Sequence, residues 1–377
     1  MTHRGSLLAG LLAGTLMLPA CDGSPEPESA TVRTPRPSVV PSEISSSAPQ
    51  DLEPKRPVTI AFAGDVHFEG VLRDRLDDPA SALAPVTGTL AAADLAVVNL
   101  ETSIGSGGRA EPGKRFTFQA PATALTALAD AGVDVATMAN NHALDFGREA
   151  LPSTFDAIDA AAQADPPLAV VGVGRDVAEA FRPARSDVDG TVVATIGATI
   201  ADTDPTADPT GQWAATGTSA GTADAVDPHR LLRSVARADR RADVVVVYVH
   251  WGVQGHSCPT GRQRSLARAL VERGADVVVG SHAHRLQGDG HLGDGYVAYG
   301  LGNYVWYTPS PGSGADTGVL TLTVRPASAP GGRASVTDAV WEPARIGADG
   351  LPDIVTGAAV DDFRVERRGL RACAGLT

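Results

Sequence analysis

The chain has 377 residues, 43% of them hydrophobic, enough for one large or two ordinary domains with a sizeable buried core. Its 31 basic and 44 acidic residues leave a net charge of −13. That balance excludes nonspecific nucleic-acid binding, which needs a basic face, and no nucleic-acid partner is expected.

Residues 1–20 read as an export signal. His3 and Arg4 precede an apolar run from Leu7 to Leu18 that is too short for an ordinary spanning helix. Leu18-Pro19-Ala20-Cys21 resembles a bacterial lipobox, which makes Cys21 the expected lipidated residue and places the chain on the outer face of the cell membrane. An ordinary signal peptide with an incidental Cys is the alternative. Residues 21–56 are dense in Pro, Ser, Glu and Thr. Such a segment cannot bury enough apolar surface to offset the entropy of ordering, so it reads as a disordered, extended linker.

The folded domain is expected over 57–345, beginning with the strand Val58–Phe62, which leads into Gly64-Asp65-Val66-His67. Four later segments share one layout: a small residue and Asp, an apolar strand, then polar residues. Ala93-Asp94 leads to Asn99-Leu100-Glu101, and Gly132-Val133-Asp134 leads to Asn140-Asn141-His142. Ala242-Asp243 leads to His250-Trp251-Gly252, and Gly274-Ala275-Asp276 leads to Gly280-Ser281-His282-Ala283-His284. Runs such as Val244–Val249 do not alternate with polar residues, so both strand faces should be buried, with helices on both sides of the sheet. Helices are expected over 121–131, 148–162, 228–241 and 261–273, and residues 201–224 read as a surface loop. Tyr296–Tyr299 and Gly318–Val324 look like strands of a second sheet.

In open α/β sheets the ligand site lies beyond the carboxyl ends of the strands. All five strand ends here carry side chains able to bind metal, a coincidence that turn-making does not explain. Asp65, His67, Glu101, Asn141, His250, His282 and His284 form a nitrogen and oxygen donor set without sulfur. It suits Mn, Fe(II) or Zn better than Mg, Ca or Cu(I). Seven donors exceed the need of one ion and fit two divalent ions sharing a carboxylate, a pair that can clamp the attacking and leaving oxygens of a displacement. The remaining cysteines, Cys258 and Cys373, are an even pair in an exported chain and read as a disulfide tying a C-terminal tail, 346–377, to the core. Two separate thiols are the alternative.

These motifs, with Lys114-Arg115-Phe116-Thr117-Phe118, Asn140 to Gly147 and Leu301-Gly302-Asn303, resemble the CapA family of capsule and poly-γ-glutamate synthesis proteins. That family is built on a calcineurin-like metallophosphoesterase fold. The resemblance spans about Val58 to Tyr307 and implies a four-layer αββα sandwich. It implies that Asp65, His67 and His284 hold one ion, that Asn141, His250 and His282 hold the other, and that Glu101 bridges them. His142 would handle protons, oriented by Asp145. Asn140 is read as holding the turn. Lys114 and Arg115 would meet an anionic substrate at the rim, and Asn303 would hydrogen-bond to the site. Two departures from phosphoesterases stand out: Glu101 replaces the usual bridging Asp, and Ala143 replaces the acid after the catalytic His. The leading expectation is metal-dependent hydrolysis or transfer on an anionic envelope polymer. The alternatives are a non-catalytic accessory subunit of a membrane synthase or exporter complex, and a phosphodiesterase or nucleotidase.

Overall fold

The computed structural model describes residues 55–201, 211–308 and 312–376. The expected signal segment, Cys21 and nearly all of the linker lie outside the described residues. Strands β1 (Val58–Val66), β2 (Leu95–Leu100), β3 (Val135–Thr137) and β4 (Ala169–Val171) pair in parallel in that order. β5 (Ala184–Val188), β6 (Thr191–Thr199), β7 (Val244–Trp251), β8 (Val277–His282), β9 (Asp289–Leu292) and β10 (Gly295–Ala298) form a second sheet ordered β9-β10-β8-β7-β6-β5. β11 (Asn303–Val305), β12 (Asp316–Arg325), β13 (Ser335–Ile346) and β14 (Pro352–Ile354) return to the first, eight-stranded sheet. β12 pairs antiparallel with residues 58–62 of β1, and β11 takes over in parallel at Asp65 and Val66.

The core has three layers of side chains, and the period of two along each strand sorts them. Val58, Ile60 and Phe62 point between the sheets, where they meet Val244, Val246, Tyr248, Val277 and Val279. Ala61 and Ala63 point outward under α1 (Thr123–Asp130) and α2 (Leu151–Ala161). On the other side Val245, Val247 and Val249 point outward under α3 (His229–Asp239) and α4 (Gly261–Glu272). Helix, sheet, sheet, helix is therefore the layer order, as the resemblance implies.

The split between sheets differs from the reading of the sequence in one respect. Gly318–Val324 lies in β12, beside β1 in the first sheet, whereas Tyr296 belongs to the second. An apolar strand is buried on both faces whether its second face meets helices or another sheet, so composition does not distinguish the two settings. The stretch 201–224 is not loop throughout. Gly221–Thr222 pairs antiparallel with Val173–Gly174, and Trp213 is buried.

The small-residue-and-Asp signature has a structural cause. Each Asp accepts the backbone N–H at the start of a neighbouring strand: Asp94 from Thr59 (2.8 Å), Asp134 from Ala96 (2.7 Å), Asp243 from Val192 (2.8 Å) and Asp276 from Val245 (2.9 Å). Otherwise those edge donors would be buried without a partner.

Of the four, Asp276 is pushed up to about 6 by burial, against the pull of the Val245 and Ala334 N–H groups and of Arg333. A raised folded-state value means that Asp276 favours the fold fully below its ordinary value. That contribution is lost as pH rises through about 6. Asp276→Asn should therefore gain stability relative to the parent between about pH 4 and pH 6, by up to about 3 kcal/mol. Urea unfolding across that range checks this, and parallel pH profiles for the two proteins would contradict it.

Beyond β14 the segment read as a tail carries a 17-residue helix, α5 (Ala358–Ala374). Arg367 Nη2 pairs with the buried Asp289 at 2.6 Å, and Arg371 Nε donates to the Asp289 carbonyl at 2.7 Å. Cys373 of this helix is disulfide-bonded to Cys258, with Cα atoms 5.7 Å apart. No helix among the described residues is long and apolar enough to cross a membrane.

Candidate metal centre

The carboxyl ends of β1, β2, β3, β7 and β8 converge with the start of β11, and register dictates which side chains meet. Asp65 on β1 is paired with Asn99 on β2 and with Asn303 on β11. His250 on β7 is paired with Ser281 on β8. The close approach needs glycine: a Cβ on Gly64 would stand 1.9 Å from the Gly302 carbonyl oxygen, and one on Gly280 would stand 2.1 Å from Trp251 Nε1. His282 and His284 take positive φ values of 91° and 51°. Side chains other than glycine avoid that region, and strain of this kind gathers at functional sites.

Two groups of ligand atoms form, and Glu101 belongs to both. One is Glu101, His250 and His282; the other is Asp65, Glu101 and His284; within each group the atoms lie within 4.8 Å of one another. Asn141 joins the first group, its Oδ1 lying 2.6 Å from His250 Nε2 and 3.2 Å from His282 Nδ1. In the second, His284 Nδ1 is 3.3 Å from Asp65 Oδ2 and 2.7 Å from Asn303 Oδ1. Neither group includes His67. Its ring is stacked on Phe118 and edged by Trp306 and Tyr307, and each ring nitrogen faces a backbone N–H, of Glu69 at 3.2 Å and Tyr307 at 3.3 Å.

The electrostatics are those of a cation site. Both oxygens of Glu101 are buried with no hydrogen-bond partner among the described residues. A buried carboxylate left so is costly, and the two imidazole groups on either side of it are what a divalent ion would need. Burial, reinforced by the charge of Asp65, pushes Glu101 well above its ordinary value. For Asp65 burial works against ionisation, but His284, His250 and Ser281 outweigh it and hold the carboxyl below the usual range. Burial keeps His67 and His250 well below the usual imidazole value. A neutral imidazole is the metal-ligating form. The donor set thus fits a divalent metal.

Beside this cluster stands a second chain of contacts. His142 Nε2 lies 3.7 Å from Glu101, and its Nδ1 is 2.6 Å from Asp145 Oδ2. Burial lowers His142 to about 4, with Asp145 opposing and Lys114 assisting. Phe118 stacks on the rings of His142 (4.1 Å) and His67 (4.7 Å), so it separates two imidazoles. Lys114, expected at the rim, is instead drawn inward. Its Nζ is hydrogen-bonded to Asp145 and to the Asn141 carbonyl, and its side chain is 2% exposed. The acceptor that Asp145 supplies explains the burial of a lysine. Arg115 remains exposed, over the ring of Phe116. Asn303, expected to hydrogen-bond to the site, is buried and bonded through its Oδ1 to His284.

Two amides tie the cluster together. Asn99 Nδ2 donates to Asp65 Oδ1 (2.8 Å), and its Oδ1 accepts from Asn140 Nδ2 (3.1 Å). Asn140 Oδ1 in turn accepts the backbone N–H of His142 (3.0 Å). Asn140 thus holds the turn that presents Asn141 and His142. Asn99 and Ser281 carried no role in the sequence. For Asn99 the available signal was its place two residues before Glu101 at a strand end.

A four-layer αββα sandwich with carboxylates and imidazoles gathered at its strand ends defines a protein of the metallophosphoesterase-like class. Residues 59–308 match the family model described as bacterial capsule synthesis protein PGA_cap, and the chain belongs to that family. It is 32% identical over 197 residues to the capsule biosynthesis protein CapA of Bacillus anthracis, covering 51% of this chain and 45% of that one. It is 30% identical over 194 residues to the PGA biosynthesis protein CapA of Bacillus subtilis, covering 51% and 48%. The chain thus spans about half the length of these two relatives. A probable polyglutamine synthesis accessory protein of Mycobacterium tuberculosis is 28% identical over 297 residues, 69% of this chain and 73% of that one. Among solved structures, a phosphatase of Mycoplasma pneumoniae aligns over 76% of this chain and 94% of its own, with 14% identity and a TM-score of 0.44, too loose a match to carry residue roles.

Proposed function

We propose that this protein acts in the synthesis or export of an anionic capsule polymer, with poly-γ-glutamate as the polymer class, through metal-dependent hydrolysis or transfer at the strand-end cluster. The observation that carries the chemistry is Glu101, a buried carboxylate common to both ligand groups with neither oxygen hydrogen-bonded. Asp65, Glu101 and His284 would hold one divalent ion, and Glu101, Asn141, His250 and His282 a second, of Mn, Fe or Zn. Such ions supply Lewis acidity to a bond being cleaved. The chain's own residues do the rest. Asn99 and Ser281 orient Asp65 and His250. His142, neutral and fixed by Asp145, is placed to accept or return a proton at Nε2, which faces the cluster. Trp306 and Phe118 wall the site against water.

The setting we propose for this activity is the one the sequence suggests. An export signal, a lipidated Cys21 and a stalk-like linker would hold the domain at the outer face of the membrane, beside a synthase complex. A second reading, a metal-holding accessory subunit without turnover, is favoured by His67. With its ring nitrogens facing backbone N–H groups, the first ion would have one donor fewer than the family pattern supplies.

The two readings part on His142. Incubating the metal-loaded protein with poly-γ-glutamate and following chain length should show cleavage or transfer by the parent. His142→Ala should lose about 100-fold or more of that rate while keeping its metal. A metal-replete parent that leaves every chain intact would support the accessory role and overturn the catalytic one.

A further inference from the structure

Away from the strand-end cluster, α3 faces the short helix Val177–Ala180 and the segment after it across an open cavity of about 590 Å³. Arg230, Arg237 and Arg241 line it from α3 and the residues just after it, and Arg182 and Arg185 line it from the facing segment. All five are exposed, and among the described residues none is paired with a carboxylate. Their neighbour Arg175, by contrast, is neutralised by Asp159 and Glu179. Arg185 Nη2 donates to the Arg241 carbonyl at 2.8 Å, which fixes one side of the cavity against the other.

Five guanidinium groups without a carboxylate partner around one hollow are not a by-product of composition, because acidic residues outnumber basic ones 44 to 31. Like charges gathered around one hollow repel one another, so the cluster works against the fold. Positions 230 and 237 lie about two turns apart on one helix face, a row about 10 Å long at 1.5 Å per residue, and Arg241 continues it just past the helix end. A row of that length exceeds one phosphate and matches a chain that repeats its anionic groups. Guanidinium forks pair with carboxylates through two parallel hydrogen bonds. The surface is concave, and none of its lining residues is among the exposed large hydrophobics that insertion into lipid would require.

We infer that this arginine-lined cavity binds an extended polycarboxylate chain, as a holding site separate from the strand-end cluster. Arg241 precedes the amino end of β7 and His250 lies near its carboxyl end, a separation of about 20 Å along the strand. A polymer held at the arginines could thus be retained while another part of it occupies the cluster. The inference rests on the function proposed above for the identity of the polymer, and not for any chemistry at the cluster.

The test is fluorescence anisotropy of labelled poly-γ-glutamate with the full chain, at low and at high salt. The triple variant R230Q/R237Q/R241Q should bind about tenfold or more weakly and show a smaller salt dependence, with an unfolding midpoint equal to or above the parent's. The triple variant should keep the metal content of the parent, so failure of the holding site is distinguishable from failure of the strand-end chemistry. Equal binding by the triple variant and the parent would overturn the inference. So would inorganic phosphate competing as well as the polymer, which would make this a small-anion site. Binding to phosphatidylglycerol vesicles without binding to the soluble polymer would overturn it in favour of a membrane face.

Discussion

Glu101→Ala is expected to strip the protein of divalent metal, and Glu101→Gln is expected to do so while making the metal-free protein more stable. The second sign is the informative one. Glu101 is fully buried, its oxygens have no hydrogen-bond partner among the described residues, and Asp65, another acceptor, repels it. Its Oε1 lies 3.6 Å from His250 Nε2, 3.7 Å from His142 Nε2 and 3.9 Å from His284 Nε2. Without a cation this arrangement costs the fold, because a buried ionisable group without a hydrogen-bond partner is expensive, and a neutral amide of similar volume removes that ionisable group. With a cation the same carboxylate serves two ligand groups, so its loss should empty both. Elemental analysis of metal-loaded protein should give near two equivalents for the parent and close to none for either variant. Chemical denaturation in the presence of a chelator should show Glu101→Gln above the parent, and added metal should raise the midpoint of the parent only. If Glu101→Gln unfolds more easily than the metal-free parent, or keeps its full metal complement, the carboxylate is a structural element of the core.

Much of this site was legible in the sequence because strand ends are local. A small residue and Asp, an apolar run and then His or Asn identify both the strand and the edge that carries the chemistry. Of the residues so marked, Asp65, Glu101, His250, His282 and His284 do converge. What was not legible depends on partners distant in the chain. Val58–Val66 and Gly318–Val324 pair directly, yet their apolar runs suit either sheet. His67 lies just beyond the end of β1, so the alternation that aims Asp65 at the cluster no longer governs its side chain. Asn99 carried no role in the sequence, but parallel register sets it beside Asp65. α5 escaped notice because its buried face is thin: Phe363, Leu370 and Ala374 within a run of charged residues broken by Gly369. The two arginines that bond to Asp289 and the disulfide of Cys373 compensate for that thinness, and neither can be inferred from helical periodicity.

Lys114→Met should destabilise the protein by about 3–5 kcal/mol, the range for removing one partner of a buried ion pair. The methionine retains most of the apolar stem, so the loss reports the charge. Asp145 is fully buried and accepts the backbone N–H of Phe118 at 2.6 Å, and it is also bonded to His142 and to Lys114. With the ammonium gone, one imidazole and one N–H would be left to balance a buried carboxylate. The Lys114 charge is also one of the influences lowering His142 to about 4, so the substitution should raise the proton affinity of that imidazole, as an NMR titration would register. A rim lysine that meets substrate would behave otherwise: its removal would cost under about 0.5 kcal/mol and leave His142 unchanged. A double-mutant cycle with Asp145→Asn separates the two cases. Coupling above about 1 kcal/mol is expected for a bonded buried pair, and additive effects would place Lys114 outside the device that orients His142.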